Sequence, residues 1–477
     1  MAGSSSSAGA MDVEEGVKFG LAELSKSVPG GCAEENLPPV TPSRGFDLES
    51  YISNYTGRTR VYRLKHIALR CPTLQEEALR MLLHEVQMGQ NVQLYKDVLE
   101  LCRDKLGPPE KLRDQAWIDR VTESNDKTFE KLELDLCQHK LNSIKEKVRM
   151  GHNDLGHHHY NVGSLNDALK CYVRTRDYGT TTKHQTDMCL NIIKVGIEMG
   201  NYSHVVNYIN KAEQATEQLE GSVVGKLRAA SGLAHLDGGK FKQAALKFVA
   251  MKIEVTEQDN RPVTKNIHPD DLGFNQVIAP QDIAVYGGLC ALATFDRSEL
   301  SAKVIEDVAF KQFLELVPDM RELIFDFYGS RYSSCLALMD KIKGDVSLDM
   351  YLGKHVETLY ENIRSRALIQ YFTPYASVKM PLMAQAFSTT VDELQKELAQ
   401  LIMKKEIKAR IDSHNKIVYA SHADQEASTY NSALQMGLQY ERRTAALLLR
   451  ADLIMHDLCI RAVRGMGPPR GDPRDED

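Results

Sequence analysis

The 477-residue sequence predicts an almost wholly α-helical protein: a tetratricopeptide-like helical-repeat solenoid, a winged-helix module with a small β wing, and a long carboxy-terminal helix. Three observations carry this. A Gly-centred helix–turn–helix template recurs three times, three helical patterns and a hairpin pattern fill residues 353–420, and a seven-residue seam runs through 425–464.

The length exceeds what one hydrophobic core usually serves, so two or more packed units are expected. Apolar residues at 43% and charged residues at 26% suit a globular protein. A net charge of −6 lacks the overall basic balance of a nucleic-acid binder, although it leaves room for a local patch. None of the nine cysteines has a C-x-x-C partner, which fits reduced, mostly buried thiols in an intracellular protein. Apolar stretches such as Ala445 to Leu449 are too short to span a bilayer, so no membrane association is expected. The amino terminus has no apolar core and reads as neither signal nor transit peptide.

Residues 1–45 are rich in Ser, Gly and Pro and are expected to be disordered, because they cannot bury enough surface to offset the entropy of ordering. The tail 465–477 reads the same way. Residues 46–251 form the repeat arm. There Gly163, Gly200 and Gly239 stand 37 and then 39 residues apart. Each precedes Leu165, Tyr202 or Phe241, then Ala168, Val205 or Ala244, then Tyr172, Ile209 or Phe248. Gly supplies the turn, small residues let two helices approach, and the large residue fills the groove to the next repeat. Such a stack leaves a long surface that either docks partners or is merely solvated; docking is the favoured reading. Residues 252–280 are polar, lack helical period and are expected to be an exposed loop.

Residues 281–424 make a second domain, its helical part followed by the winged helix 353–420. Val356, Leu359, Tyr360, Ile363, Ala367 and Tyr371 share one helical face that Thr373-Pro374 ends. A short helix near Met380–Phe387 follows, then a helix opened by Thr390 and Glu393 at capping-box spacing. Ile407, Ala409 and Ile411, a polar turn, then Ile417 and Tyr419 read as a two-stranded wing. Ile411, Ile417 and Tyr419 are its candidate edge residues, able to pair with another subunit's sheet. A DNA-reading winged helix would carry a basic third helix. Residues 391–406 instead hold Asp392, Glu393, Glu397 and Glu406 against Lys396, Lys404 and Lys405, so no nucleic acid is expected. In residues 425–464, Ala433, Tyr440, Leu447 and Ile454 repeat every seven positions, and Gly437, Thr444, Ala451 and Leu458 follow four later. Tyr440, Leu447, Ile454 and Leu458 are candidate contacts with partner helices; packing back on the chain itself is the alternative.

No phosphate loop, dinucleotide fingerprint or nucleophile elbow occurs, and no cofactor or catalytic residue is expected. His84-Glu85 begins like a zinc-protease motif, but Met88 stands where the second His belongs. His152 and His157-His158-His159, with Ser164 and Asp167, approach a JAMM-type zinc motif but miss its spacing. Adjacent helical histidines diverge, so partly exposed repeat-surface histidines are expected instead. Cys290 sits in an apolar run without a basic neighbour and reads as a buried structural thiol.

This order of arm, winged helix and final helix resembles PCI-domain proteins, scaffold subunits of the proteasome lid, the COP-nine signalosome and a translation initiation complex. Tyr51-Ile-Ser-Asn-Tyr-Thr-Gly57, Cys71-Pro72-Thr73-Leu74, Asn142-Ser143-Ile144-Lys145-Glu146, Ile283-Ala-Val-Tyr-Gly-Gly-Leu-Cys-Ala-Leu-Ala-Thr-Phe-Asp-Arg297 and Ala409-Arg410-Ile411-Asp412-Ser413-His414-Asn415-Lys416 resemble the signalosome's subunit-one family over about residues 46–464. The resemblance implies a non-catalytic, hetero-oligomeric scaffold in a complex that removes the ubiquitin-like modifier Nedd from cullins. It implies other PCI and JAMM/MPN subunits as partners, with the chemistry in the JAMM metalloprotease, and contact with cullin–RING ligases. It also implies a cytoplasmic and nuclear location. The paralogous proteasome-lid subunit is the main alternative; a nucleic-acid-binding winged helix and a metalloenzyme are the others.

Overall fold

The computed structural model describes residues 39–43, 45–103, 113–215, 220–256, 262–420 and 425–456. Most of the two segments expected to be disordered, residues 1–38 and 465–477, lies outside this set, as does Leu458. The chain divides into two compact units: Met1–Pro374 with Leu382–Glu397, and Tyr375–Pro381 with Leu398–Asp477.

In the first unit, α1 (Leu48–Ser53), α2 (Arg58–Arg70), α3 (Gln75–Met88) and α4 (Val92–Cys102) share a core around Leu64, Ile67, Leu82, Tyr95 and Val98. Helix α5 (Gln115–Leu141) leads into three pairs: α6 (Lys145–Val162) with α7 (Leu165–Arg174), α8 (Thr182–Glu198) with α9 (Tyr202–Ala215), and α10 (Gly221–Asp237) with α11 (Phe241–Val249). The turns follow the sequence template. Gly163, Gly200 and Gly239 have φ of 105°, 69° and 68°, where a Cβ would strain the backbone. In each turn the next residue's N–H donates five residues back: Ser164 to His159, Asn201 to Gly196 and Lys240 to His235, at 2.9–3.0 Å. The glycine N–H donates three back, to Tyr160, Ile197 and Leu236. This is one Schellman closure used three times.

The pairs close through small-against-large packing. A Cβ on Gly156 would lie 2.7 Å from the Tyr172 ring, one on Gly196 2.9 Å from Val205, and one on Gly232 2.5 Å from the Phe248 ring. Ala168, Val205 and Ala244 are wholly buried. The repeat reading therefore describes real helix pairs.

The loop reading of 252–280 requires correction. Strands β1 (Lys252–Thr256) and β2 (Pro262–Asn266) pair antiparallel, with Lys252 opposite Asn266 and Thr256 opposite Pro262. Beyond them Ile267, Leu272, Phe274, Val277 and Ile278 are buried. Gly225 on α10 makes room for Leu272 and Ile267. The segment is polar in composition, yet its few large apolar residues are spaced by turns that bring them to the same core.

Helix α12 (Pro280–Thr294) carries the repeat stack into the next helices. Most residues on it are buried, which explains its largely apolar sequence. Gly287 meets Phe310 and Phe248, and Gly288 meets Met320, so the paired glycines admit neighbours on two sides. Helices α13 (Arg297–Leu300), α14 (Val308–Leu314), α15 (Pro318–Tyr328), α16 (Tyr332–Ser347) and α17 (Val356–Phe372) follow. Then come β3 (Ser377–Lys379), α18 (Met380–Ala386), α19 (Val391–Met403), β4 (Ala409–Asp412), β5 (Ile417–Ala420) and α20 (Gln425–Met455).

Candidate protein-interaction surfaces

The wing lies in the second unit. Its sheet has three strands in the order β3–β5–β4, all antiparallel, rather than the two expected. Strand β3 is three residues long, too short for alternation to show in sequence. Its presence moves β5 to the centre. Ile417 and Tyr419 therefore sit on a strand paired on both sides and are not edge residues. Ile411, on β4, does sit on an outer strand, and among the described residues β4 has no strand on its other side. The side-chain phase also differs from the expected one. Val378, Val418 and Ile411 are cross-strand partners, and Val418 is wholly buried. Tyr419 points to the opposite face and is 42% exposed. The hairpin turn itself is local: Asp412 accepts from the His414 and Asn415 N–H groups at 3.0 and 3.2 Å.

Helix α19 has internal uses for its acidic residues. Arg364 Nε on α17 donates to both Glu397 oxygens at 3.1 and 3.0 Å. The Thr390 hydroxyl accepts from the Glu393 N–H at 3.4 Å and donates to the Glu393 carboxylate at 2.9 Å, half of the expected capping box plus a side-chain bond. Leu394 and Leu398 are buried. A helix of this composition offers phosphates no basic surface.

Helix α20 is the most distinctive surface. It runs 31 residues, and apolar side chains stand in solvent along its length. Tyr440, Leu447 and Ile454 are 73%, 65% and 72% exposed. Leu434, Leu438, Leu448, Leu449 and Met455 are exposed as well. Soluble proteins rarely leave such continuous apolar patches open, which makes α20 a candidate docking element. Among the described residues, none covers Tyr440, Leu447 or Ile454, as packing back on the same chain, the alternative from the sequence, would require.

A buried ionic centre, missed in the sequence reading, holds the amino-terminal helices to the rest of the first unit. Arg63 on α2 is 1% exposed. It donates to Asp349 at 2.6 Å and to Asp282 at 2.9 Å, and its guanidinium lies 4.0 Å from the Tyr55 ring centre. Tyr55 donates to Asp282 at 2.7 Å, and Tyr286 donates to Asp349 at 2.6 Å. Burial pushes the Asp282 carboxyl up to about 6, against the pull of Arg63. Burial also acts on Asp349, but Arg63 and the bonds from Tyr286 and Leu352 outweigh it and hold that carboxyl below its usual range. Two further arginines of α2 complete the attachment. Arg58 pairs with Glu198 of α8 at 2.9 Å, and Arg70 donates to the Ser347 carbonyl at 2.7 Å. The signal was present in sequence: Arg63 and Arg70, seven apart, share a helical face with Leu64 and Ile67, where a charge needs a buried partner.

The histidine cluster and Cys290 have structural occupations. His152 and His158 are buried, not surface residues as expected, because they fill the space between repeat helices; His157 is exposed and His159 half-buried. His152 stacks on Tyr178, His157 bonds the Tyr172 hydroxyl at 2.8 Å, and His159 faces Phe129. Among the described residues, no three His, Cys, Asp or Glu side chains converge as metal ligands. Cys290 is wholly buried, which pushes its thiol up to about 12, away from nucleophilic use at neutral pH. Among the described residues, no helix is long and apolar enough to cross a membrane.

Comparison with known proteins agrees with this geometry. The family profile described as 26S proteasome subunit RPN7 matches residues 114–303, and the PCI domain profile matches residues 339–422. COP9 signalosome complex subunit 1 of Arabidopsis thaliana is 48% identical over 91% of this chain and 96% of its own length. COP9 signalosome complex subunit 1b of Drosophila melanogaster is 40% identical over 91% of this chain and 90% of its own. The 26S proteasome non-ATPase regulatory subunit 6 of Caenorhabditis elegans is 21% identical over 68% of this chain and 77% of its own, which places the proteasome-lid relationship at a distance. At 48% and 40% identity over 91% of its length, the chain belongs to the COP9 signalosome complex subunit 1 family.

Proposed function

We propose that this chain is a non-catalytic scaffold subunit of a COP9 signalosome, holding other subunits through its wing and its final helix. The observation that carries the reading is α20, with Tyr440, Leu447 and Ile454 all exposed on a helix that would be a liability in a solitary chain. Burying one such Leu against a partner contributes roughly 2 kcal/mol, so a seam of several supports stable assembly. The outer side of β4, unpaired among the described residues, is a second contact, suited to strand addition from a sibling PCI wing. On this reading the partners are the other PCI and JAMM/MPN subunits. The isopeptidase that removes Nedd from cullins is the JAMM subunit, the arm meets cullin–RING ligases, and the complex works in cytoplasm and nucleus. Membership in the proteasome lid is disfavoured by the gap between 48% and 21% identity.

The test is affinity purification of the tagged full chain from its own cells. Sibling PCI and MPN subunits with cullin-deneddylating activity are expected to accompany it. The double variant Leu447→Asp, Ile454→Asp is expected to lose them. Recovery of proteasome-lid subunits in their place, or unchanged recovery by the variant, refutes the assignment or the role of α20 respectively.

A further inference from the structure

The sequence marks everything before residue 46 as unstructured, yet residues 39–43 are seated. The Val40 N–H donates to the Arg70 carbonyl at the end of α2 at 2.9 Å, and the Val40 side chain packs on the amino-terminal core. The chain then crosses the last turn of α16. There Gly344 leaves the space: a Cβ at that position would stand 2.6 Å from the Thr41 carbonyl oxygen and 3.5 Å from Pro42 Cα. Ser43 closes the seat with two bonds to one carboxylate, its N–H to Asp345 Oδ1 at 2.8 Å and its hydroxyl to Oδ2 at 2.7 Å. The segment thus ends on a negative charge at a helix carboxy terminus, where the exposed carbonyls are themselves the negative pole.

Thr41 is the exposed residue in the middle of this seat and is followed by Pro42. Pro has no N–H to satisfy, so a kinase whose pocket offers that position no acceptor selects Thr-Pro over other pairs. In sequence, Arg44 stands at the third position beyond Thr41, a cation that such kinases can read with an acidic pocket. We propose that Thr41 is a phosphorylation site for a proline-directed kinase, and that the phosphate unseats residues 39–43 from the end of α16. The Thr41 hydroxyl oxygen attacks the γ-phosphorus of ATP, the bond to ADP breaks, and the hydroxyl proton passes to the kinase's base. The product adds a charge of about −1.5 to −2 beside the Asp345 carboxylate and the α16 carbonyl end. Arg70, whose carbonyl accepts from Val40, is buried and donates to the Ser347 carbonyl, so its guanidinium is committed to the fold. Repulsion therefore acts on a segment that, among the described residues, is tied to other elements by three hydrogen bonds, one from Val40 and two from Ser43.

The test uses the full chain with a purified cyclin-dependent-type kinase and magnesium ATP. The phosphosite is mapped by mass spectrometry, and amide exchange is followed in the peptide covering residues 39–48. Modification of Thr41 is expected, absent in Thr41→Ala, with exchange in that peptide about tenfold faster and restored by phosphatase. Gly344→Ala is expected to speed the same peptide without kinase, since the added methyl occupies the seat. Absence of phosphate on Thr41 overturns the site. Phosphate on Thr41 with exchange unchanged or slowed overturns the release. A Gly344→Ala chain with wild-type exchange overturns the seat itself.

Discussion

Replacing Arg63 with Met removes the one cation between Asp282 and Asp349 while keeping a side chain of similar length. The structure sets the magnitude. Arg63 and both carboxyls are buried, and removing one partner of a buried ion pair typically costs about 3–5 kcal/mol because a charge is stranded. For a unit of this size that lowers Tm by roughly 4–6 °C. The pH dependence carries a sign. Asp282 already titrates at about 6 in the folded chain, raised from 3.8 by burial, so the folded form holds a proton that the unfolded form has lost. Stability from this group is present at low pH and falls as pH rises through about 6. Arg63 holds that carboxyl down, so its removal raises it further and makes protonation more rewarding. The deficit of Arg63→Met is therefore expected to be large at pH 7.5 and smaller at pH 5.5. Thermal unfolding followed by circular dichroism at both pH values measures it. A variant within 2 °C of wild type at pH 7.5, or a deficit that grows on acidification, would refute the reasoning about the ionic centre.

Three other outcomes follow from the packing. Gly232→Ala places a methyl 2.5 Å from the Phe248 ring; overpacking costs about 1–3 kcal/mol, partly offset by the better helix propensity of Ala, and adding Phe248→Leu should recover part of the lost Tm, so additive losses would rule out the contact. Val418→Ala should weaken the wing by about 2 kcal/mol, while Tyr419→Ser should change its stability by less than about 0.5 kcal/mol; amide exchange in residues 417–420 separates them, and the reverse order would mean the strand phase is inverted. Leu447→Asp with Ile454→Asp should leave the Tm of the isolated chain within about 1 °C of wild type, because both side chains are exposed; a large drop would show that α20 packs on its own chain.

Much of the fold was legible because its signals are local. The three Gly turns are readable since Gly adopts their φ without the strain of a Cβ; the seats of Tyr172 on Gly156 and Phe248 on Gly232 were not, because the large residue, expected to fill the groove to the next repeat, packs within its own helix pair. The apolar seam of α20 was legible for the same reason: Tyr440, Leu447 and Ile454 are one helical face of one element. Strand β3 was not legible, because three residues cannot show a period, and its absence from the reading misplaced Ile417 and Tyr419 at an edge. The segment 252–280 was misread because polar composition was taken for exposure, while its few apolar residues supply the buried contacts.

By itself, the sequence determined the helical class, the repeat turns, the winged-helix order and the exposed seam, all properties of residues close together along the chain. Only the tertiary structure decided which charges are buried together, which strand is central and where residues 39–43 come to rest. Arg63 meets Asp282 and Asp349 across 219 and 286 positions, and Ser43 meets Asp345 across 302. No periodicity encodes such pairs. They exist because a charge or an unpaired amide taken out of water must find its partner wherever the fold brings one within reach.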